Sequence, residues 1–368
     1  MTEPKPFGVI NPDTHVTGAR FSPCGRLIAA PSFDGKVRRW RIEQPGTVPA
    51  EFAPPELPAV TGHNGYVTAV DFHPIRLIAY SADSWGQLRA WPYQAETPDP
   101  LWTNAEAHDG WIRGIAVGGE GDWIATAGRD GKARVFSADT GGQLAEFAGH
   151  GAELFAIAAH PSGKWVVSGD LFGRLIQWDV KTGAVVREFD AKMFHLLARL
   201  QDIGGLRKLY FSADGKTLAA SGTKPNGGGN VQGHGRVLLF DFEKGTLRHE
   251  VVIGESDKDI FAHDMALMPD GNFITVTTGQ PGQGNVMIFK PGEAAPLFTY
   301  NKGTVNCHSV SLSPDARWFA VSATNTGSNG NGRRLDKEGK YAGNFSPIHL
   351  FAVDGSTVPV VDPKKKKA

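Results

Sequence analysis

Four side chains able to ligate a metal, His234, His263, Cys307 and His308, lie in the last two fifths of the chain. Zinc sites draw such residues from short fixed spacings of the Cys-x-x-Cys or His-x-x-x-His kind. None of those spacings is present. His263 and His308 stand at equivalent places in two successive repeats, so a metal-assisted hydrolase built on that pair is the rival reading. Phosphate transfer and acyl transfer leave firmer marks, a Gly-x-x-x-x-Gly-Lys-Ser/Thr loop or a Gly-x-Ser-x-Gly elbow, and the chain has neither. Its Gly-rich runs lack the strand-then-helix context that phosphate binding needs, and they read as loops. The sequence therefore points to no cofactor and to a protein that is not an enzyme.

The elements that position these side chains are strands. Residues 149–183 hold three short runs, Leu154 to Ala159, Trp165 to Ser168 and Leu175 to Val180, broken by His160-Pro161-Ser162-Gly163 and Asp170-Leu171-Phe172-Gly173. Alternating apolar runs split by turn residues predict strand, turn, strand, turn, strand, and Ala184 to Phe189 supplies a fourth strand. The first turn recurs at Ser22-Pro23-Cys24-Gly25, His73-Pro74-Ile75-Arg76, Gly118-Gly119-Glu120-Gly121, Ser212-Ala213-Asp214-Gly215, Met268-Pro269-Asp270-Gly271 and Ser313-Pro314-Asp315-Ala316, which makes seven copies. The aromatic closing each third strand recurs as Trp40, Trp91, Phe136, Trp178, Phe240, Phe289 and Phe351. One such sheet cannot bury a core alone, so the copies must stack on each other.

These repeats resemble the WD-repeat (tryptophan–aspartate repeat) β-propeller family, through Gly62-His63, Ala107-His108, Gly149-His150, Asp34-Gly35, Asp130-Gly131 and Trp178-Asp179. The resemblance covers roughly residues 7–353 and implies an all-β fold: a seven-bladed β-propeller of four-stranded antiparallel blades, its ring closed by an N-terminal strand at Phe7 to Ile10. Thr357 to Val361 competes for that closing slot, weakened by Pro359. Residues 1–15 read as closing strand and lead-in, 16–356 as the propeller, and 357–368 as a C-terminal tail. In the family a junction histidine joins a turn Asp, a strand Ser or Thr and the closing Trp. Aligned on the turns, no blade here has all four: blade three has Phe136 in place of the indole, and blade four has Phe172 at the turn-Asp place. Asp190 to Gly205 is too long for a blade junction, and Met193, Phe194, Leu196, Leu197 and Leu200 suggest a short helix. Lys224 to Gly235, Gly279 to Gly284 and Asn325 to Ser346 read as long loops on the second-turn rim.

Lysine plus arginine and aspartate plus glutamate each number 38 in 368 residues. With no global field, nucleic acid is an unlikely partner. Two cysteines make no disulfide framework, and neither a leader nor a run of about 18 apolar residues is present, so a cytoplasmic location is expected. The terminal Lys364 to Lys367 run loosely resembles a nuclear-import signal but reads more simply as a solvated tail.

Aligning the first strands places Thr17, Thr68, Arg113, Phe155, Arg207, His263 and His308 around the channel mouth, with His15, Tyr66, Trp111, Glu153, Gly205, Phe261 and Asn306 two residues before them. With Phe33 and Arg129 before their turn Asp, these are the positions where the resembled family binds peptides. Trp85 lies in a second turn on the same rim. Trp, Tyr and Arg dominate interface energetics because they join large area to directed hydrogen bonds. The expected partner site is therefore Trp111, Arg113, Tyr66, Phe155, Arg207, Arg129, Phe33, Trp85, His263 and His308. The expected role is a non-catalytic scaffold or adaptor, alone or as a subunit of a complex, binding a protein or peptide that carries an acidic segment.

Overall fold

The computed structural model describes residues 3–42, 52–198, 200–226, 232–254, 260–279, 284–324 and 345–354. It holds seven four-stranded antiparallel sheets and one two-stranded hairpin. Blade four follows the expected template, with strands Leu154–Ala159, Trp165–Asp170, Arg174–Asp179 and Val185–Asp190 in that order from the channel outward. The other blades repeat it. Blade one has the shortest inner strand, Arg20–Phe21, extended by an isolated bridge from Val16 to Ser32.

Every closing aromatic is buried in a third strand, Trp91 and Phe351 completely and Trp40 at 3% exposure. The core is thus a series of layers between blades. Between blades four and five Val167, Phe189, Leu206, Leu218 and Phe240 pack together, and between seven and one Ile10, Ala19, Trp40, Trp318 and Leu350 do so. Apolar burial of this kind is the main stabilising term, and each blade shares it with both neighbours.

Blade seven takes Val305–Leu312, Trp318–Thr324 and Ile348–Ala352 from the end of the chain and Lys5–Ile10 from the start. Ile10 pairs with Ile348 and Lys5 with Ala352, while the Phe7 ring packs 4.9 Å from that of Trp318. The N-terminal strand closes the ring, as expected, and removes an unpaired edge. The competing segment Thr357 to Val361 lies outside the described residues.

Two stretches differ from the sequence reading. Asp190 to Gly205 forms one 3-10 turn, Lys192–Phe194, then a β-hairpin of His195–Ala198 and Gln201–Gly204. The apolar residues expected to make a helix split, with Phe194 fully buried and Leu197 and Leu200 at the exposed tip. The stretch from Lys224 to Gly235 is largely strand, because blade five extends its middle hairpin through Thr217–Asn226 and Gln232–Asp241. Most of the other two expected loops, 280–283 and 325–344, lies outside the described residues.

Candidate functional site: the upper rim and channel mouth

The upper rim is fixed by one repeated hydrogen bond. In blades one to five a residue at the upper part of the second strand or just beyond it donates its backbone N–H to the carbonyl two residues before the aligned channel position: Phe33 to His15, Ser84 to Tyr66, Arg129 to Trp111, Leu171 to Glu153 and Thr223 to Gly205. Second turns and first-strand starts therefore share one face.

In most blades the aligned channel residue is the extra residue of a β-bulge. Register skips one residue between Val67 and Ala69, Ile112 and Gly114, Leu154 and Ala156, Leu206 and Lys208, and Ala262 and Asp264. The skipped residues are Thr68, Arg113, Phe155, Arg207 and His263. A bulge leaves one residue outside the ladder and re-aims its side chain, here toward the channel mouth.

Four of the aligned channel side chains stitch one blade to the next. Thr17 Oγ1 donates to Val67 O at 2.9 Å, Thr68 Oγ1 to Ile112 O, His263 Nδ1 to His308 O at 3.0 Å and His308 Nε2 to Val16 O at 2.9 Å. Burial and the nearby Arg207 hold the His263 imidazole near a pKa of about 3, so it is neutral at pH 7. Each histidine thus commits a ring nitrogen to a backbone carbonyl of the following blade. Among the described residues no three His, Cys, Asp or Glu side chains gather as ligands. Cys307 is buried, and burial pushes its thiol up to about 12.

In blades three to five the aligned channel side chains reach no backbone carbonyl of the next blade among the described residues. Arg113 donates from Nη2 to Glu153 Oε2 at 2.5 Å and lies 4.3 Å over the Phe155 ring, while Arg129 reaches the same carboxylate at 3.8 Å. Arg207 donates to two carbonyls just before it in the chain, Gly204 O and Leu206 O.

On the other side of Trp111 the rim is aromatic. His15 and Phe33 lie 6.2 Å apart, Phe33 and Tyr66 5.1 Å, and Tyr66 and Trp111 6.1 Å, a continuous arc over blades one to three. Phe33 and Tyr66 are each 46% exposed and Trp85 is 70% exposed. Gly65 is needed beside it, since a Cβ there would stand 2.4 Å from the Trp85 ring. The predicted residues thus form two groups, an arc of the exposed Phe33 and Tyr66 and the half-buried Trp111 with the exposed Trp85 apart from it, and an inner group of Arg113, Phe155, Arg207, His263 and His308; Arg129 remains at the edge. Sequence reasoning missed the Leu197 and Leu200 hairpin tip, whose signal was the over-long junction it occupies.

The blade-junction histidines are structural. In blade two Trp91 Nε1 donates to Ser81 Oγ at 3.1 Å, Ser81 contacts His63 Nε2 at 2.7 Å, and His63 Nδ1 meets Asp83 Oδ2 at 3.1 Å. Blade four repeats this with Trp178, Ser168, His150 and Asp170 at 2.7, 2.7 and 2.8 Å. The expectation that no blade holds all four groups is therefore wrong. Blade three lacks the indole, as expected: His108 meets Thr126 and Asp130, and Arg134 is paired with Asp130 and Glu146.

The repeat family described as WD domain, G-beta repeat, matches residues 6–41, 100–137 and 141–179. Each match begins in or just before an outer strand and runs through the three inner strands of the next blade. The chain is a WD-repeat propeller. Relatives include the small ribosomal subunit protein RACK1y of Oryza sativa subsp. japonica, 27% identical over 44% of this chain and 46% of that protein. Telomerase protein component 1 of Mus musculus is 30% identical over 42% of this chain and 6% of its own length. Coronin-7 of Rattus norvegicus is 28% identical over 30% and 11%. The chain spans less than half the length of each of these relatives. In this propeller, no helix among the described residues is long and apolar enough to cross a membrane.

Proposed function

We propose that this WD-repeat propeller is a non-catalytic binding platform, with residues 1–356 acting as one unit and the upper rim taking a protein or peptide partner. The observation that carries this reading is the aromatic arc from Phe33 through Tyr66 to Trp111, with Phe33 and Tyr66 exposed on the face where the described second turns emerge. Exposed aromatic rings held rigid by each other offer contact area at little entropic cost. Arg113 and Arg129 border the arc and favour an acidic segment in the partner, as does Arg207 within the mouth. A location in the cytoplasm suits this role.

The test compares wild type, Tyr66→Ala and Trp111→Ala. Partners captured from cells are identified, then titrated against each purified variant beside a thermal melt. Each substitution is expected to weaken binding by about 1–3 kcal/mol with little change in melting. Lys164→Ala and Lys216→Ala, in first turns on the opposite rim, should bind like wild type. A Trp111→Ala protein that unfolds while Tyr66→Ala still binds normally would place Trp111 in blade packing and move the functional face elsewhere.

A further inference from the structure

The break in the stitching coincides with an excess of cations. The upper channel holds a cavity of about 130 Å³ lined by Arg20, Arg113, Phe155, Lys208, Tyr210 and Asp264, among others. The acids around it are already engaged. Asp264 accepts from Met265 N, Val310 N and the Tyr210 hydroxyl and lies 3.5 Å from Arg20. Asp71 accepts from Phe72 N and Val117 N. Glu153 is shared between Arg113 and Arg129.

Lys208, enclosed in the channel, makes no hydrogen bond or ion pair among the described residues, and burial lowers the pKa of its ammonium. Arg113 Nε is buried without a partner. Arg207 has backbone carbonyls alone as partners among the described residues, and the neighbouring Arg113 charge adds to the burial that disfavours its own. Charges held out of bulk water need partners to offset their desolvation. Arg113 and Lys208 line the cavity, and Arg207 lies near Arg113, so their charges leave a place for a negative group.

We propose that the upper channel binds one oxyanion of the phosphate or carboxylate class between Lys208, Arg113 and Arg207. The cavity is well below the roughly 300 Å³ of pockets that hold drug-sized molecules, so it suits a free ion or a single side-chain group lowered from above. Guanidinium groups offer paired N–H donors matched to such oxygens, and the ammonium adds a point charge. Only the second source rests on the partner-binding reading.

The test is a series of melts of the full chain at pH 7 and constant ionic strength, with chloride progressively replaced by inorganic phosphate. A ligand bound by the native state alone raises the midpoint with concentration. The expected result is a saturable rise in wild type and in Lys208→Arg, lost in Lys208→Met and in Arg113→Met; the chloride melt of each variant shows whether it folds. A rise that is the same in wild type and a folded Lys208→Met, or no rise beyond chloride, overturns the site. The tripeptides Gly-phosphoserine-Gly and Gly-Ser-Gly separate the sources. A rise with the phosphorylated peptide at concentrations below those free phosphate needs, absent with Gly-Ser-Gly and in Lys208→Met, assigns the site to a partner's side chain, and a rise with free phosphate and none with the peptide assigns it to the ion. If Tyr66→Ala and Trp111→Ala lose no partner while the phosphate rise persists, the platform reading fails and the anion site stands.

Discussion

Asp83 and Asp170 reach their histidines from two residues beyond the strand serine, whereas Asp130 does so from four residues beyond Thr126. Two backbone routes thus deliver a carboxylate to one imidazole nitrogen, and an alignment anchored on the Asp-Gly turn sees one of them. The completed chain in blade two has a single consistent proton order: the indole N–H donates to Ser81, the Ser81 hydroxyl to His63 Nε2, and His63 Nδ1–H to Asp83. That order needs a neutral ring, and burial does hold the His63 pKa below its ordinary value against the pull of Asp83. In blade four Trp178 also stacks 5.1 Å from Phe147. Trp178→Ala should cost about 3–5 kcal/mol through lost packing and a cavity. Trp178→Phe, which keeps a ring and strands Ser168 without its donor, should cost about 1–3 kcal/mol. Urea unfolding of both variants checks the order of the two losses. The histidines also set an acid limit. His263 stays neutral in the fold to about pH 3, while the unfolded chain protonates it near its ordinary 6.5. The unfolded state therefore binds the extra proton, and stability falls as pH drops through that window. His263→Asn should flatten the slope of stability against pH between 6.5 and 4, and an unaltered slope would show that His263 does not carry it.

Strand number, order and first turns were legible in the sequence because each apolar run is punctuated by Pro, Asp and Gly. The bulges were not. Whether Arg113 pairs or bulges depends on how Ile112 and Gly114 meet Gly128 and Ala127, a tertiary register that alternation in one strand does not encode. Aligning the repeats nonetheless found the right residues, since Thr68, Arg113, Phe155, Arg207 and His263 hold one place in successive copies. What alignment could not supply was their orientation: Trp111 joins Tyr66, while Arg113 turns toward Phe155 and Glu153. The helix expected near Leu196 failed for a similar reason, as Phe194 is drawn into the layer between blades four and five and its neighbours pair as a hairpin instead. Among the strands, Lys5–Ile10 has the most to protect. Deleting residues 1–12 should bare the edge of Ile348–Ala352 and lower the melting midpoint by on the order of 5 °C, with aggregation seen by light scattering. Deleting residues 357–368 should leave both readings unchanged; the opposite pattern would transfer closure to the other end of the chain.

Across the whole molecule the blades are tied to their neighbours and also through the channel. Arg20 of blade one donates to Val310 O of blade seven at 2.6 Å and to the Tyr210 hydroxyl of blade five at 2.7 Å, and Tyr210 donates to Asp264 of blade six at 2.7 Å. Tyr210→Phe removes the bridging hydroxyl from a desolvated ion pair and should cost about 1–3 kcal/mol, with blades one and five losing amide-exchange protection together. Loss confined to blade five would show that the bridge couples nothing. The ring closure itself has an implication in time. Lys5–Ile10 leaves the ribosome before any of the residues it pairs with, and Ile348 follows it after more than three hundred others. Until then the earliest strand has no partner, and six blades can stack behind it while blade seven waits. The order of synthesis thus runs against the order of assembly: the closing strand is made before the seven blades yet is among the last segments to be placed, and a chain stalled short of Ile348 leaves it without a partner.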